Sequence, residues 1–525
     1  MRTALSASQD TRKHVIETAG GVVASQHRLA AEAGAEVLRA GGDAVDAAVA
    51  CSFVVGVLEP WMSGPAGGGA AIHWRADSGS ATAINFGMRS PKGLNVNDYP
   101  LSGEGKAGDL FPWERVVEDR NVQGAKAIAV PGSVEGLGRA HERWGRMPWA
   151  DLLAPAIAHA KEGMLVDWYA ALIIASTARE LARDADAAAM FLDDGHWPKG
   201  SGWTALADNR LDQSRMADSL DTIARGGARA FHQGDLAQAL AADVQAKGGS
   251  LTTEDLAGYR SWMGAPRQVG YRDAMFHVMP GLTAGPTFAR VMEQLEGADL
   301  STPAQTYAAY ARALDVAYAE RLGSMGDDGE VPEAPGCTTH FSVVDRAGNM
   351  ITHTQTLLSI FGSRVVSPTT GFLMNNGIMW FDPEQGKPNS LAPNKACLMN
   401  VCPVLGEQGD TRFAFGASGG RKIVSAVSQL SSFVVDGGLD VGGAFHAPRI
   451  DVSGGPQIIA DDSLPTEVIA SLETVKPVET TRRTVLPYAF ACPAGVMRRE
   501  GMNSGCTEIM SPWGDAALED EQEPA

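Results

Sequence analysis

This sequence predicts an α/β (α+β) fold, built in layers or lobes rather than around one small core. Three observations carry that expectation. At 525 residues the chain exceeds the usual size of a single hydrophobic core. Residues 20–90 alternate strand-like and helix-like patterns, and residues 411–434 do so again. Residues 130–330 read as mostly helical, with Ala-rich amphipathic stretches at 152–160, 207–230 and 306–322.

Each element has its own signal. Val22-Val23-Ala24-Ser25 is strand-like, and residues 29–38 form a helix stopped by Gly41-Gly42. Asp43 starts a second, very apolar helix that reaches about Leu58. Its small residues Ala47, Ala48, Ala50 and Ser52 predict tight packing inside other structure. Residues 63–69 are a glycine loop that enters a strand at 70–74. No Gly-Lys-Ser/Thr follows and no helix comes next, so the loop does not read as a phosphate cradle. Thr252 or Thr253 is placed to cap a helix before acidic residues. Residues 323–336 are rich in Gly, Pro and acid and predict an exposed tether. The acidic stretch 516–525 predicts a disordered tail.

Composition excludes several classes of function. The chain is 44% apolar and 20% charged, as expected of a globular protein, with a formal charge of −19. That charge argues against a nucleic-acid partner. No apolar run is long enough to span a bilayer, so no membrane role is expected. The N-terminus has no hydrophobic signal core, and the six cysteines show neither metal-type CxxC pairs nor a dense disulfide pattern. A reduced, cytoplasmic setting fits these features.

The chemistry centres on Thr338. Cys337-Thr338-Thr339-His340 opens a strand-like run, a turn at 346–349 follows, and a second strand ends in Thr354-Gln355-Thr356. If the Cys337–Thr338 bond is cut, the Thr338 hydroxyl becomes a nucleophile with its own α-amine as base. A free α-amine has a pKa near ~7.7–8, so a useful fraction is neutral at working pH. Taken alone, Thr338 also reads as an ordinary β-former, and Cys337 is a rival nucleophile. Downstream, the strand 411–416 leads through Ser418-Gly419-Gly420 into a helix marked by Ile423, Val427, Leu430 and Val434. Such a turn presents backbone N–H groups that can hold an oxyanion. It is equally the form of a tight turn needing positive φ.

With these residues in place, the chain resembles the gamma-glutamyltransferase family of N-terminal-nucleophile hydrolases from about Gly20 to Pro448. The resemblance rests on Gly41-Gly42-Asp43-Ala44, Glu59-Pro60, Gly67-Gly68-Gly69 and Val130-Pro131-Gly132-Ser133. It continues through Thr338-Thr339-His340, Asn375-Asn376, Ala392-Pro393-Asn394-Lys395 and Ser418-Gly419-Gly420. It implies a four-layer αββα sandwich built from a self-cleaved precursor, with large subunit 1–337 (helical over about 130–330) and small subunit 338–525. A dimer of such heterodimers is one assembly left open. Carried onto this chain, Thr338 matches the nucleophile and Cys337–Thr338 the processing bond. Thr356 matches the threonine that supports the nucleophile, and Gly419 and Gly420 match the oxyanion donors. The mechanism needs neither metal nor organic cofactor.

The chain departs from the family at the donor pocket. Gly377 and Trp380 stand where the family grips the α-ammonium, and Leu358 stands in place of an Asn. Met399-Asn400 replaces the paired serines, and Gly87 holds the place of the carboxylate-binding arginine, with Arg89 two positions on. An α-ammonium held without an acid loses a bond worth ~1.5–3 kcal/mol while its desolvation cost remains. Arg89, Asn400 and Trp380 are therefore the candidate substrate-binding residues. For Arg89 the alternative is a structural salt bridge, and for Trp380, Met399 and Leu358 it is core packing. The expected substrate is a small, carboxylate-bearing amide without the γ-glutamyl α-amino group; of the family branches that take other amides, oxamate amidohydrolases and cephalosporin-type acylases, the chain resembles the oxamate type more. A γ-glutamyltransferase or glutathione hydrolase is the second expectation. An uncleaved relative acting as a binding protein is the third.

Overall fold

The computed structural model describes residues 12–107, 113–200, 208–325 and 336–520. Two seven-stranded, wholly antiparallel sheets form its centre. The first runs Trp262–Gly264, Ser80–Asn85, Gly68–Arg75, Met350–Ser359, Gly336–Val344, Val22–Ser25 and Asp515–Leu518. The second runs Ile16–Thr18, Met502–Thr507, Cys492–Arg499, Thr411–Ser418, Val404–Gln408, Ala274–Val278 and Arg267–Tyr271. Each sheet takes strands from both sides of Thr338, so fragments cut at that residue share both sheets.

Side-chain alternation sorts the strands into three cores. Phe341 and Val343 face outward onto the helices Arg28–Arg39 and Ala44–Leu58. Phe413 and Phe415 face outward on the other sheet, onto Gly285–Leu295 and Lys422–Val435. Val344, Ala414, Ala494 and Val496 fill the space between the sheets. The result is helix, sheet, sheet, helix: the expected four-layer αββα sandwich.

The helix Ala44–Leu58 is buried along its whole length. Its residues are small or β-branched, so it can sit close to the sheet and to neighbouring helices, and Asp43 with Asp46 closes a capping box at its start. The glycine loop 63–69 delivers the chain into the centre of the first sheet. A Cβ at Gly69 would strike the Thr354 carbonyl. Between the sheets, the His340 ring lies over Gly416, where any side chain would collide with it. Its nitrogens meet the hydroxyls of Thr354 (2.8 Å) and Ser342 (3.0 Å). Burial holds this imidazole neutral, its pKa well below the usual value.

The stretch 130–330 is mostly helical as expected, and within it residues 262–278 supply three strands, two of them the hairpin that edges the second sheet. Val269 and Tyr271 on one strand and Phe276 and Val278 on the other are buried, and this is strand rather than helix periodicity. The tail expected to be disordered from 516 is ordered at its start. Asp515–Leu518 pairs with Val22–Ser25, and Glu519 and Asp520 meet Arg346 at 3.2 and 2.7 Å. Those acids have cationic partners from a distant turn, which composition alone does not reveal. Residues 521–525, and most of the tether expected at 323–336, lie outside the described residues.

Candidate active site

The strands Gly336–Val344 and Met350–Ser359 form a hairpin whose register slips by one residue at Thr338. Cys337 pairs with Leu358 and Thr339 with Gln355, so Thr338 stands opposite both Thr356 and Leu357. This is a β-bulge, the local irregularity that re-aims side chains beside functional sites. Leu358 takes a φ of +91, unusual for a residue with a side chain. Its N–H turns to the Thr356 hydroxyl at 2.8 Å. Leu357 leaves the ladder too, its N–H bonding the Met62 carbonyl at 3.1 Å. The bulge brings Thr338 Oγ1 to 3.4 Å from Thr356 Oγ1, with Thr338 only 4% exposed. The Cys337–Thr338 peptide lies inside this distorted stretch.

Glu59, which ends the buried helix, ties both strands of the hairpin together. Its carboxyl accepts from the Thr339 hydroxyl at 2.7 Å, and its backbone carbonyl accepts from Met62 and Ser63. Met62 in turn receives Leu357. Burial pushes the Glu59 carboxyl up to about 8, with the Thr339 bond opposing that rise. Asn375 and Asn376 fix the adjoining loops. Asn375 bridges Ala66, Ala129 and Gly377, while Asn376 holds Ser359 and the Val122 carbonyl.

Gly419 and Gly420 follow the strand Thr411–Ser418 and precede the helix Lys422–Val435. Their φ values, +130 and +59, lie in the region that favours glycine. The turn shares the Thr338 end of the sandwich. Ser25 pairs with Phe341, and the next residue, Gln26, donates to Ser418 Oγ at 2.8 Å. One end of the two facing sheets thus carries Thr338, Thr356, Gly419 and Gly420.

The expected substrate residues sit differently. Met399 packs onto Gly87: a Cβ there would lie 2.6 Å from Met399 Cε and 2.9 Å from Sδ. The places of the family's arginine and paired serines are therefore in contact, and here a thioether fills the gap. Asn400 is buried. Its Oδ1 accepts from Arg321 at 2.9 Å, and its Nδ2 has no partner among the described residues. Trp380 is 1% exposed, packed with Met88, Leu358 and Met399, and its indole N–H is likewise without a partner. Arg89 forms no ion pair among the described residues. Its guanidinium donates to the Asn394 carbonyl at 2.7 Å, and no contact joins it to Thr338.

Sequence reasoning gave no role to Glu59, Arg321 or Tyr488. Glu59 had a usable signal, a lone acid at the end of a long apolar helix. Arg321 is a buried guanidinium that also holds the Met399 carbonyl at 3.2 Å, and nothing in its local sequence marks it. Among the described residues no helix is long and apolar enough to cross a membrane, and no group of side chains is arranged to hold a metal.

Comparisons with known proteins agree with this architecture. The Gamma-glutamyltranspeptidase family model matches residues 30–335 and 330–484. The Acylase ACY 1 proenzyme of Pseudomonas sp. (strain V22) is 34% identical, over 86% of this chain and 86% of its own length. The glutathione hydrolase proenzyme of Bacillus subtilis (strain 168) is 29% identical over 89% of this chain and 86% of its own. The crystal structure of cephalosporin acylase from Bacillus halodurans superposes with a TM-score of 0.84 at 25% identity. That match covers 99% of this chain and 100% of the other. Precursor relatives, the sandwich fold and the family match together make this a self-processing N-terminal-nucleophile amidohydrolase, and the chain belongs to the gamma-glutamyltranspeptidase family.

Proposed function

We propose that the protein hydrolyses a small, carboxylate-bearing amide that lacks the γ-glutamyl α-amino group, an oxamate-like substrate being the simplest case. Cleavage of Cys337–Thr338 frees the Thr338 α-amine. The hydroxyl then attacks the amide carbonyl while that amine takes its proton and passes it to the leaving nitrogen. N–H groups of Gly419 and Gly420 hold the oxyanion, and Thr356 orients the nucleophile through the 3.4 Å hydroxyl contact. Water then hydrolyses the acyl ester, and the α-amine acts again as base.

One observation carries the choice of substrate. The two buried polar groups without partners at the departed positions, Asn400 Nδ2 and Trp380 Nε1, are both donors. A carboxylate only accepts hydrogen bonds and an ammonium only donates them, so these donors suit an acceptor such as a carboxylate and not an ammonium. Arg321, which fixes Asn400 Oδ1, sets the amide with its donor side turned away from the guanidinium. The Acylase ACY 1 proenzyme at 34% identity supports hydrolysis of an acyl amide. A second reading, γ-glutamyl transfer or hydrolysis, is supported by the glutathione hydrolase relative at 29%.

The test is a comparison of oxamate, glutaryl-p-nitroanilide and γ-glutamyl-p-nitroanilide, after intact mass has confirmed cleavage. The two anilides differ only in the α-amino group. Faster turnover of the γ-glutamyl compound would overturn the proposal and establish the second reading.

A further inference from the structure

Beside the Gly419–Gly420 turn, on a segment far away in sequence, stands a tyrosine that the reaction as described does not use. Lys422, the first residue of the helix after the turn, holds this segment by donating to the carbonyls of Tyr488 (3.2 Å) and Ala489 (3.0 Å). The Tyr488 side chain returns over the turn. Its hydroxyl lies 3.2 Å from the Ser418 carbonyl oxygen and 3.4 Å from Ser418 Oγ. A Cβ at Gly419 would sit 3.3 Å from that hydroxyl and 3.0 Å from Ala491 Cα, so the approach is close enough to require glycine.

The donors around Ser418 can be sorted. Gln26 Nε2 donates to Ser418 Oγ at 2.8 Å and to the Cys492 carbonyl at 2.6 Å. Ser418 Oγ, already an acceptor, has its proton for the Cys492 carbonyl or the Tyr488 oxygen. The Tyr488 proton then goes to the Ser418 carbonyl. Burial raises this phenol well above its ordinary value, so it stays a donor across the working pH range. The Cys492 thiol, its other titratable neighbour, is pushed up to about 12 and stays neutral.

The Ser418 carbonyl belongs to the same peptide unit as the Gly419 N–H. In a planar trans peptide these two groups point in opposite directions. A donor fixed on the oxygen therefore fixes the direction of the N–H and strengthens it as a donor. With φ of +130 and no side chain, Gly419 has little steric resistance to rotation of this peptide, so an external anchor matters more than usual.

We propose that Tyr488 is a positioning residue for the oxyanion donors: its hydroxyl clamps the Ser418–Gly419 peptide so that the Gly419 N–H faces the reacting carbonyl. This rests on the reading of Gly419 as an oxyanion donor. The test is Tyr488→Phe in the full-length, self-cleaved protein, with rates normalised to the cleaved fraction read by intact mass. The probes are glutaryl-p-nitroanilide and its thioamide counterpart. Removing a direct oxyanion donor costs ~10²–10³ in kcat, so loosening one should cost about tenfold.

The expected result is that fall in kcat at every pH from about 6 to 9, with KM within about twofold and the melting temperature unchanged. Sulfur is a poor acceptor for donors placed for oxygen, so wild type should prefer the oxygen amide strongly, and Tyr488→Phe should narrow that preference. A wild-type preference near one would remove the oxyanion reading and this proposal together. A strong preference left intact in Tyr488→Phe, or a loss confined to KM, would overturn the role of Tyr488 alone.

Discussion

The Thr338 end of the sandwich and the wall around Met399 lie on one scaffold but stand differently toward the family. At Thr338 the residues that the resemblance marks are present, with the threonine pair 3.4 Å apart, the bulge that brings it together and two glycines with positive φ. At the wall the polar residues expected to grip a γ-glutamyl group have become glycine, methionine, leucine and tryptophan. The changes are complementary, since Met399 fills the space that a side chain at Gly87 would need. The bond-breaking device depends on relations among a few atoms fixed by the sheet. The pocket depends on side-chain volume and polarity, which can change in matched pairs without disturbing the sheet.

The largest expected effect breaks the first half of this contrast. Thr338→Ala should remain one uncut chain on denaturing electrophoresis and lose at least ~10⁴-fold in rate. A processed, active variant would show that the nucleophile lies elsewhere. The next tests the second half. Glutaryl-p-nitroanilide should be preferred over its γ-glutamyl analogue by up to ~10⁴ in kcat/KM, because a buried ammonium finds no acceptor at the wall.

Smaller effects sharpen the comparison. Gly87→Arg alone should destabilise by ~1–3 kcal/mol in denaturant titration, through collision with Met399. Adding Met399→Ser should recover much of that loss and raise γ-glutamyl turnover. Additive losses would show that the two positions are not coupled. A pH-dependent effect concerns Glu59. Its folded pKa of about 8 lies above the ordinary carboxyl value of 4.5, so between these values the folded state binds the extra proton. Stability should then fall as pH rises from about 5 to 8, by up to ~1.4 kcal/mol per pH unit, and level off above. Glu59→Gln should lack that slope, as melting curves across the window will show.

Much of the fold around the site was legible in the sequence because its signals are local. The apolar helix Ala44–Leu58, the glycine loop after it and the strand–turn–helix at Gly419–Gly420 each occupy a short window. The hairpin at 267–278 was missed because it lies within a long helical stretch, and five-residue strands give a weak signal beside helices. The start of the acidic tail was misread because its partners, Arg346 and the Val22–Ser25 strand, are hundreds of residues away.

The sequence by itself determined the family and the layered fold, since these are carried by residue types at fixed spacing. Only the tertiary structure decided the slip in register at Thr338, the Glu59 tie across the hairpin, the contact of Met399 with Gly87 and the placing of Tyr488 over the Ser418 carbonyl. Each depends on a strand register or on segments that only the folded chain brings together, and spacing along a chain holds no record of either.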